Sequence, residues 1–121
     1  MRSLIALLAL LLIAVPAMAE ERAPPETRVV IIHHRGPAWD ASKPFLEQEG
    51  LQAHIDYYRG LVQSGKLAMG GPFLDDSGGM MVSQPGADLQ TLTDFAQGDP
   101  AVKSGLLVAE IHPWMTAMKA P

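Results

Sequence analysis

Hydrophobic runs near both ends of the chain predict two β-strands. Arg28 to His34 reads RVVIIHH, which places apolar side chains alternately on both faces of one strand. Leu106 to His112 repeats the pattern, with Leu106 and Val108 facing one way and the other face formed by Leu107, Ala109 and Ile111. Strands that are apolar on both faces favour burial on both faces. We therefore expect both sides of the sheet to be covered.

A helical period begins at Leu51. Apolar side chains recur there at i, i+4, i+7 and i+11, namely at Leu51, Ile55, Tyr58 and Val62. Gly65 has the residue type and place of a C-cap. On the helical wheel His54 falls at the margin of the apolar stripe. The pattern predicts a helix that buries one face and carries His54 at the edge of it.

The chain after this helix predicts a β-hairpin and a second helix. Residues 66–74 read as a strand, residues 75–79 as a turn, and residues 80–83 as the returning strand. Asp88 caps a helix whose apolar stripe is Leu89, Leu92, Phe95 and Ala96. Asp99 before Pro100 is typical of the N-cap of a short extra turn, and we assign Asp99 no other role.

The predicted order of elements is βαββαβ. This order is typical of the ferredoxin-like α+β fold, in which an antiparallel four-stranded sheet carries two helices on one face. Because two helices cover one face only, the apolar residues of the other face need a partner. The sequence therefore predicts a homodimer that packs through the open sheet face, an arrangement of the dimeric α+β barrel type.

The first nineteen residues predict a secretory signal peptide. Arg2 is followed by an unbroken apolar run over residues 4–15 and by the small-x-small site Ala17-Met18-Ala19. Residues 20–27 read as a disordered leader, and residues 28–121 as one small α+β domain. The chain has no cysteine, so no disulfide supplements its core. We expect a bacterial protein that is periplasmic or secreted.

Charge excludes several kinds of partner. Without Arg2 the chain has eight basic and thirteen acidic residues, a formal charge of −5, and the basic residues are scattered. Phosphate recognition needs a basic patch, so we expect no nucleic-acid partner. An anionic membrane is disfavoured for the same reason after signal cleavage. A small molecule and a second copy of the chain remain as expected partners.

His54 is the main candidate for chemistry. A buried imidazole needs hydrogen-bond partners, and a carboxylate bonded to it would orient the ring and raise its basicity. Asp75 and Asp76 of the predicted hairpin turn are the expected partners, which would make His54 a general base. Taken singly, His54 suits a packing role and the two aspartates suit a turn.

Other residues are candidate ligand contacts. Trp39, an isolated aromatic residue in a polar loop, either packs on the edge of the domain or lines a pocket. Tyr58 lies on the buried face of the predicted helix. Gly71 and Pro72 end a strand, where they either shape its twist or let backbone amides approach a ligand.

Metal and nucleophile chemistry have weaker support. His33 and His34 point to opposite faces of their strand, and His112 is expected at the far edge of the sheet, so joint ligation of a metal is disfavoured. The chain has neither cysteine nor a Gly-x-Ser-x-Gly elbow. We expect no metal and no cofactor.

Several short motifs together resemble the YciI-like (YCII-related) family of small bacterial proteins. They are AHIDYYRGLVQSGKL, GGPF with the aspartates after it, GGMMV, DPAVKSGL and IHPW, within residues 29–114. The resemblance implies a ferredoxin-like dimer with a His-Asp pocket, related in architecture to cofactor-free lyases and isomerases of aromatic breakdown. It implies that His54 and either Asp75 or Asp76 form the pair.

The sequence supports two functions of different classes. One is an exported domain that binds a small cyclic or aromatic molecule and catalyses proton transfer without a cofactor. The other is a non-catalytic ligand-binding or structural dimeric module, in which His54 belongs to a buried hydrogen-bond network. The sequence does not decide whether the protein is an enzyme.

Overall fold

The computed structural model describes residues 13–18 and 23–121 of the 121-residue chain. Its elements are β1 (Glu26–Arg35), α1 (Leu51–Gln63), β2 (Leu67–Pro72), β3 (Gly78–Ser83), α2 (Leu89–Gln97), α3 (Pro100–Lys103) and β4 (Leu107–Thr116), with a 3-10 turn at Phe45–Glu47. The predicted βαββαβ order is confirmed, and α3 is the predicted extra turn.

Four antiparallel strands form one sheet in the order β2-β3-β1-β4. β1 pairs with β4 over its whole length, from Glu26 opposite Thr116 to Arg35 opposite Leu107. Both strands are therefore longer than predicted: β1 begins two residues earlier, and β4 continues past His112. Pro113 is tolerated because β4 lies at the edge of the sheet. The ferredoxin-like α+β fold is confirmed.

The helices cover one face of this sheet. The main core lies between the helices and the sheet. It consists of Val29, Ile31, Tyr58, Leu61, Leu67, Leu92 and Ala96. A second cluster joins the start of α1 to α3 and β4 through Leu51, Ala101, Leu106 and Leu107. Burial of these side chains supplies most of the free energy that holds the helices on the sheet.

The buried stripe of α1 differs from the predicted one. Its buried residues are Leu51, His54, Tyr58 and Leu61, whereas Val62 is half exposed. The helix is thus turned so that His54 lies inside the stripe and not at its margin. This is possible because the imidazole finds a polar partner in the interior, which offsets the cost of removing it from water.

The other face of the sheet, called the open face below, is not covered by any described residue of the chain's helices. Its apolar side chains line a shallow groove of about 590 Å³ and include Val30, Ile32, Met69, Met80, Val82 and Trp114. Met69 and Trp114 are 63% and 45% exposed. Exposed apolar patches are frequent at interaction surfaces of proteins.

A polar cluster also lies on the open face. The Nε2 atoms of His34 and His112 are each 2.6 Å from a different oxygen of Glu110. His112 was expected at the far edge of the sheet, but the extension of β4 places it opposite Val30 in mid-strand. The hydrogen bond from His34, followed by that from His112, lowers the pKa of Glu110.

The predicted signal peptide lies mostly outside the described residues. Residues 13–18 and 23–25 are exposed and belong to no helix or strand. Within residues 13–18 and 23–121, no helix has the length and apolar character needed to cross a membrane.

Candidate functional site

His54 and Asp99 form a buried pair between α1 and α3. The Nδ1 atom of His54 lies 2.6 Å from Oδ2 of Asp99, and the aspartate is fully buried. Asp99 is also the N-cap of α3, since its Oδ1 accepts a hydrogen bond from the Ala101 amide at 2.9 Å. One carboxylate therefore fixes both a helix terminus and an imidazole.

This contact determines which nitrogen of neutral His54 carries the proton. A carboxylate only accepts hydrogen bonds, so Nδ1 of His54 donates to Asp99. The lone pair of the neutral ring is then on Nε2, which is free to accept a proton or a hydrogen bond. A carboxylate bonded to the far side of the ring also stabilises the imidazolium form.

His33 places a second imidazole beside this pair. It faces the helices from β1, is 2% exposed, and its ring centre lies 4.8 Å from that of His54. Its Nε2 atom is 3.2 Å from the Tyr58 hydroxyl and 3.9 Å from Oδ2 of Asp99. Its Nδ1 atom has no hydrogen-bond partner among the described residues.

Burial controls the protonation of His33 and Tyr58. Desolvation, with a smaller repulsion from His54, lowers the pKa of His33 to about 4, and the opposing attraction of Asp99 does not restore it. Desolvation, followed by the charge of Asp99, raises the pKa of the Tyr58 hydroxyl. Both groups are therefore neutral at neutral pH.

A cavity of about 470 Å³ opens beside these rings and is lined by His33, His54 and Tyr58. Its walls are mainly apolar, with contributions from Phe45, Leu46, Leu51, Ile55, Val62 and Met81. Arg59 also lines it and forms an exposed ion pair with Asp56 at 2.9 Å. An apolar cavity with a few convergent polar groups is the usual form of a small-molecule site.

Glycines of the hairpin help to create this space. The cavity is bounded by the backbone of Gly70, Gly71, Gly78 and Gly79. Gly79 pairs with Pro72 in the sheet, and a Cβ atom at Gly79 would lie 2.8 Å from the Gly71 carbonyl oxygen. The hairpin therefore presents backbone without side chains to the cavity at these four positions.

The predicted pairing of His54 with Asp75 or Asp76 is wrong. Both aspartates are exposed in the hairpin turn, where the Asp75 carboxylate accepts hydrogen bonds from the amide and hydroxyl of Ser77 at 3.0 and 2.6 Å. Asp76 occupies a left-handed conformation, with φ of 61°, that the turn requires. The turn chemistry of this segment accounts for its aspartates, and the partner of His54 is Asp99.

The predicted ligand contacts divide into two groups. Tyr58, Gly71 and Pro72 line the cavity. Trp39 is absent from its lining and packs at the edge of the domain, 6.0 Å from the Phe45 ring and under the Arg35 guanidinium at 5.4 Å. Of the two roles considered for Trp39, the structure has the packing role.

Sequence reasoning missed Asp99 and His33. Asp99 was recognised as a cap, but its second oxygen reaches His54 only because α3 packs against α1, a contact between residues 45 positions apart. His33 carried a usable signal, since it continues the core-facing alternation of Val29 and Ile31 in β1. A histidine at such a position predicts a polar partner in the interior.

Among the residues that the structure describes, one cluster has the side chains needed to hold a metal ion. His33, His54 and Asp99 each offer a ligand atom, and these atoms lie within 4.8 Å of one another. The metal site considered from the sequence would have used His33 or His34 with His112. His112 lies instead on the open face with Glu110, away from His54 and Asp99.

Fold and site together define a class of protein, a small ferredoxin-like α+β domain with a buried His-Asp pair beside an apolar cavity. The family model of the YCII-related domain matches residues 27–115, and the chain belongs to this family.

One similar solved structure is 5-chloro-2-hydroxyhydroquinone dehydrochlorinase (TftG) from Burkholderia phenoliruptrix AC1100, in complex with 2,5-dihydroxybenzoquinone. The two chains are 21% identical with a TM-score of 0.50, and the match covers 71% of this chain and 92% of the other. This likeness supports the fold. A search of curated proteins gave no match.

Proposed function

We propose that the protein binds a small cyclic or aromatic molecule in the cavity beside His54 and catalyses a proton transfer on it without a cofactor. The observation that carries this proposal is the 2.6 Å contact between His54 and the buried carboxylate of Asp99 at the cavity wall. This arrangement provides a base whose orientation and tautomer are fixed before a ligand arrives.

His54 is the proposed base and Asp99 its orienting partner. The Nε2 atom of His54 takes a proton from the ligand, and the Asp99 carboxylate stabilises the imidazolium that forms. The apolar walls exclude water and strengthen the attraction between these two charges. Isomerisation and elimination are the reaction types that this single proton transfer serves.

The first probe for this site is 2,5-dihydroxybenzoquinone, the molecule bound to the structural neighbour TftG. In deuterium oxide, the carbon-bound hydrogens of this ring exchange when a deuteron adds to the ring carbon and a base then removes the proton, which proton NMR detects. We expect the protein to accelerate this exchange and His54→Gln to reduce the acceleration by about 10²- to 10⁴-fold. Asp99→Asn should reduce it too, because the ring loses its orienting carboxylate.

Asp75→Asn is the matched control, since it makes the same chemical change at an exposed turn. It should leave exchange unchanged. Full activity of the His54→Gln protein would refute the assignment of the base.

The alternative is a non-catalytic module in which the pair is structural. The complete burial of Asp99 and its contact with the α3 amide favour this reading. In that case His54→Gln would bind the probe unchanged, exchange would be absent in the wild type, and the loss of one partner would cost about 1–3 kcal/mol of stability.

We also propose a homodimer formed through the open face. Its support is the exposed apolar patch around Ile32 and Trp114, which one copy of the chain leaves uncovered. A sheet packed face to face on its own copy would bury this patch on both chains at once.

Export to the periplasm or beyond the cell is proposed from the sequence of residues 1–19. Fractionation of cells that produce the chain, with N-terminal sequencing of the product, tests it. A mature protein that begins at Glu20 is expected, and a cytoplasmic product that retains Met1 would contradict export.

A further inference from the structure

We infer that His33 is a positioning residue that donates its Nε2 proton to the Tyr58 oxygen and thereby directs the Tyr58 hydroxyl hydrogen into the cavity. With this assignment the buried rings present one donor, Tyr58, and one acceptor, Nε2 of His54, to the cavity. The ligand class that matches is a ring ketone with a removable proton. The inference about the ligand rests on the proposed function, whereas the protonation of His33 is independent of it.

The His33 ring carries a single proton on its nitrogens. The ring is neutral at neutral pH because burial lowers its pKa to about 4. It therefore carries one proton, on either Nδ1 or Nε2. The hydrogen bond between Nε2 and the Tyr58 hydroxyl can run in either direction, depending on this choice.

The charge of Asp99 favours a proton on Nε2. Oδ2 of Asp99 lies 3.9 Å from the Nε2 atom of His33. At this distance a lone pair on Nε2 is repelled by the negative oxygen, whereas an N–H group there is attracted to it. The carboxylate that fixes the tautomer of His54 thus favours a defined tautomer of His33 as well.

The unpartnered Nδ1 atom of His33 supports the same choice. Nδ1 is buried and has no partner among the described residues. A proton there would be an orphaned buried donor, which native proteins rarely contain, while a bare lone pair is an unsatisfied acceptor and is tolerated more often. The charge of Asp99 and the missing partner of Nδ1 both favour a proton on Nε2.

The direction of the Tyr58 hydroxyl follows. If its oxygen accepts from His33, its hydrogen needs another acceptor, and the described structure gives this hydroxyl no second hydrogen bond. Tyr58 lines the cavity together with His54, which lies one helical turn before it. A ligand oxygen in the cavity is the acceptor that completes this arrangement.

The donor and the acceptor together define a reaction. Nε2 of His54 removes a proton from the carbon next to a ring carbonyl, and the C–H electron pair forms the C=C bond of an enolate. The charge moves to the carbonyl oxygen, where the Tyr58 hydroxyl donates to it. Return of the proton to the α-carbon, or to the γ-carbon when the enolate is conjugated with a further double bond, restores a ketone, so that no oxidant or reductant is needed.

Nitrogen-15 NMR of the histidine rings tests the His33 assignment directly in the free protein. Two-bond couplings distinguish a proton on Nε2 from one on Nδ1. We expect His33 in the Nε2–H form and His54 in the Nδ1–H form, with His33 shifting toward the other tautomer in Asp99→Asn. A wild-type spectrum that shows His33 protonated on Nδ1 would overturn the inference.

A matched pair of ring probes tests the ligand class. Tropone is a planar seven-membered ring ketone, and cycloheptatriene is a puckered ring of the same size with a CH2 group in place of the carbonyl. We expect the wild type to bind tropone more tightly, and Tyr58→Phe to lose about tenfold in tropone affinity while its affinity for cycloheptatriene is unchanged. His33→Phe should shift tropone affinity in the same direction.

Equal affinity of Tyr58→Phe and the wild type for tropone would overturn the role of Tyr58 as a donor. If neither probe binds the wild type, the ring-ketone assignment fails together with the proposed ligand site. The NMR spectrum of the free protein still decides the tautomer of His33 in that case, so the two failures are distinguishable.

Discussion

Asp99 joins two structural roles that usually belong to different residues. Its Oδ1 caps α3 and its Oδ2 binds His54, both without exposure to solvent. Asp99→Asn retains a cap acceptor but replaces a carboxylate oxygen by an amide donor or a weaker acceptor opposite Nδ1. We expect a loss of about 1–3 kcal/mol in the free energy of unfolding, measured in urea.

Asp88 is the matched control for this substitution. It caps α2 through the Thr91 amide at 2.8 Å, but it is exposed and has no histidine partner. Because asparagine is a good N-cap, Asp88→Asn should change stability by no more than a few tenths of a kcal/mol. Equal effects of the two substitutions would mean that the His54 contact contributes no stability.

His33 makes stability depend on pH. Its pKa is about 4 in the folded protein and about 6.5 when unfolded, so between these values the unfolded chain binds a proton that the folded protein does not. Stability therefore falls as the pH is lowered through this window, by up to roughly 3 kcal/mol. Chemical denaturation at a series of pH values between 7 and about 4 measures it.

The variant that isolates this effect is His33→Gln, which should show a smaller loss over the same window. An unchanged slope in His33→Gln would show that another group takes up the proton.

At the scale of the elements, the sequence predicted most of the fold because hydrophobic period and local caps dictate it. The alternation of β1, the Asp88 cap of α2 and the glycine after α1 all fall where they were predicted. The orientation of α1 could not be predicted in the same way. His54 counted as polar in the pattern, and its burial depends on Asp99, which is 45 residues away.

In the candidate site, too, local sequence patterns predicted some residues, and tertiary packing determined the rest. His54 and the cavity contacts Tyr58, Gly71 and Pro72 were accessible from local patterns. The acid partner was not, because the aspartates nearest in sequence belong to a turn, and proximity along the chain does not measure proximity in space. Tertiary packing of α3 against α1 decides which carboxylate reaches the ring.

The hairpin β2-β3 provides a test of how backbone shapes the cavity. A Cβ atom at Gly79 would lie 2.8 Å from the Gly71 oxygen and 3.3 Å from Cα of Pro72, so Gly79→Ala must displace backbone. We expect a loss of about 1–3 kcal/mol in unfolding free energy and weaker probe binding. Gly71→Ala is the control, since a Cβ there meets no atom within 4 Å.

Gly71→Ala should keep or slightly raise stability, because it restricts the unfolded chain without a clash. Calorimetric melting of both variants, together with titration of the ring probe, separates strain from cavity size. Equal stability and binding in the two variants would show that the hairpin adapts freely and does not define the cavity.

At the scale of the whole molecule, the open face is the surface of the proposed dimer. Ile32 lines its apolar groove, with Val30 two residues before it on the same face of β1. Ile32→Lys would place two charges, one from each copy, within the proposed interface, where neither has a partner and desolvation is costly. We expect a dimer in the wild type and a monomer in this variant, measured by sedimentation equilibrium.

Leu74→Lys makes a comparable change at a fully exposed hydrophobic residue of the hairpin turn, outside the open-face groove. It should leave the dimer intact, which separates interface disruption from the general effect of added charge. Because the proposed catalytic pair and the cavity use residues of the other face, a folded Ile32→Lys monomer should still bind the ring probe. Loss of binding on dissociation would instead mean that the second copy completes the site, whereas a wild-type monomer at all concentrations would refute the dimer itself.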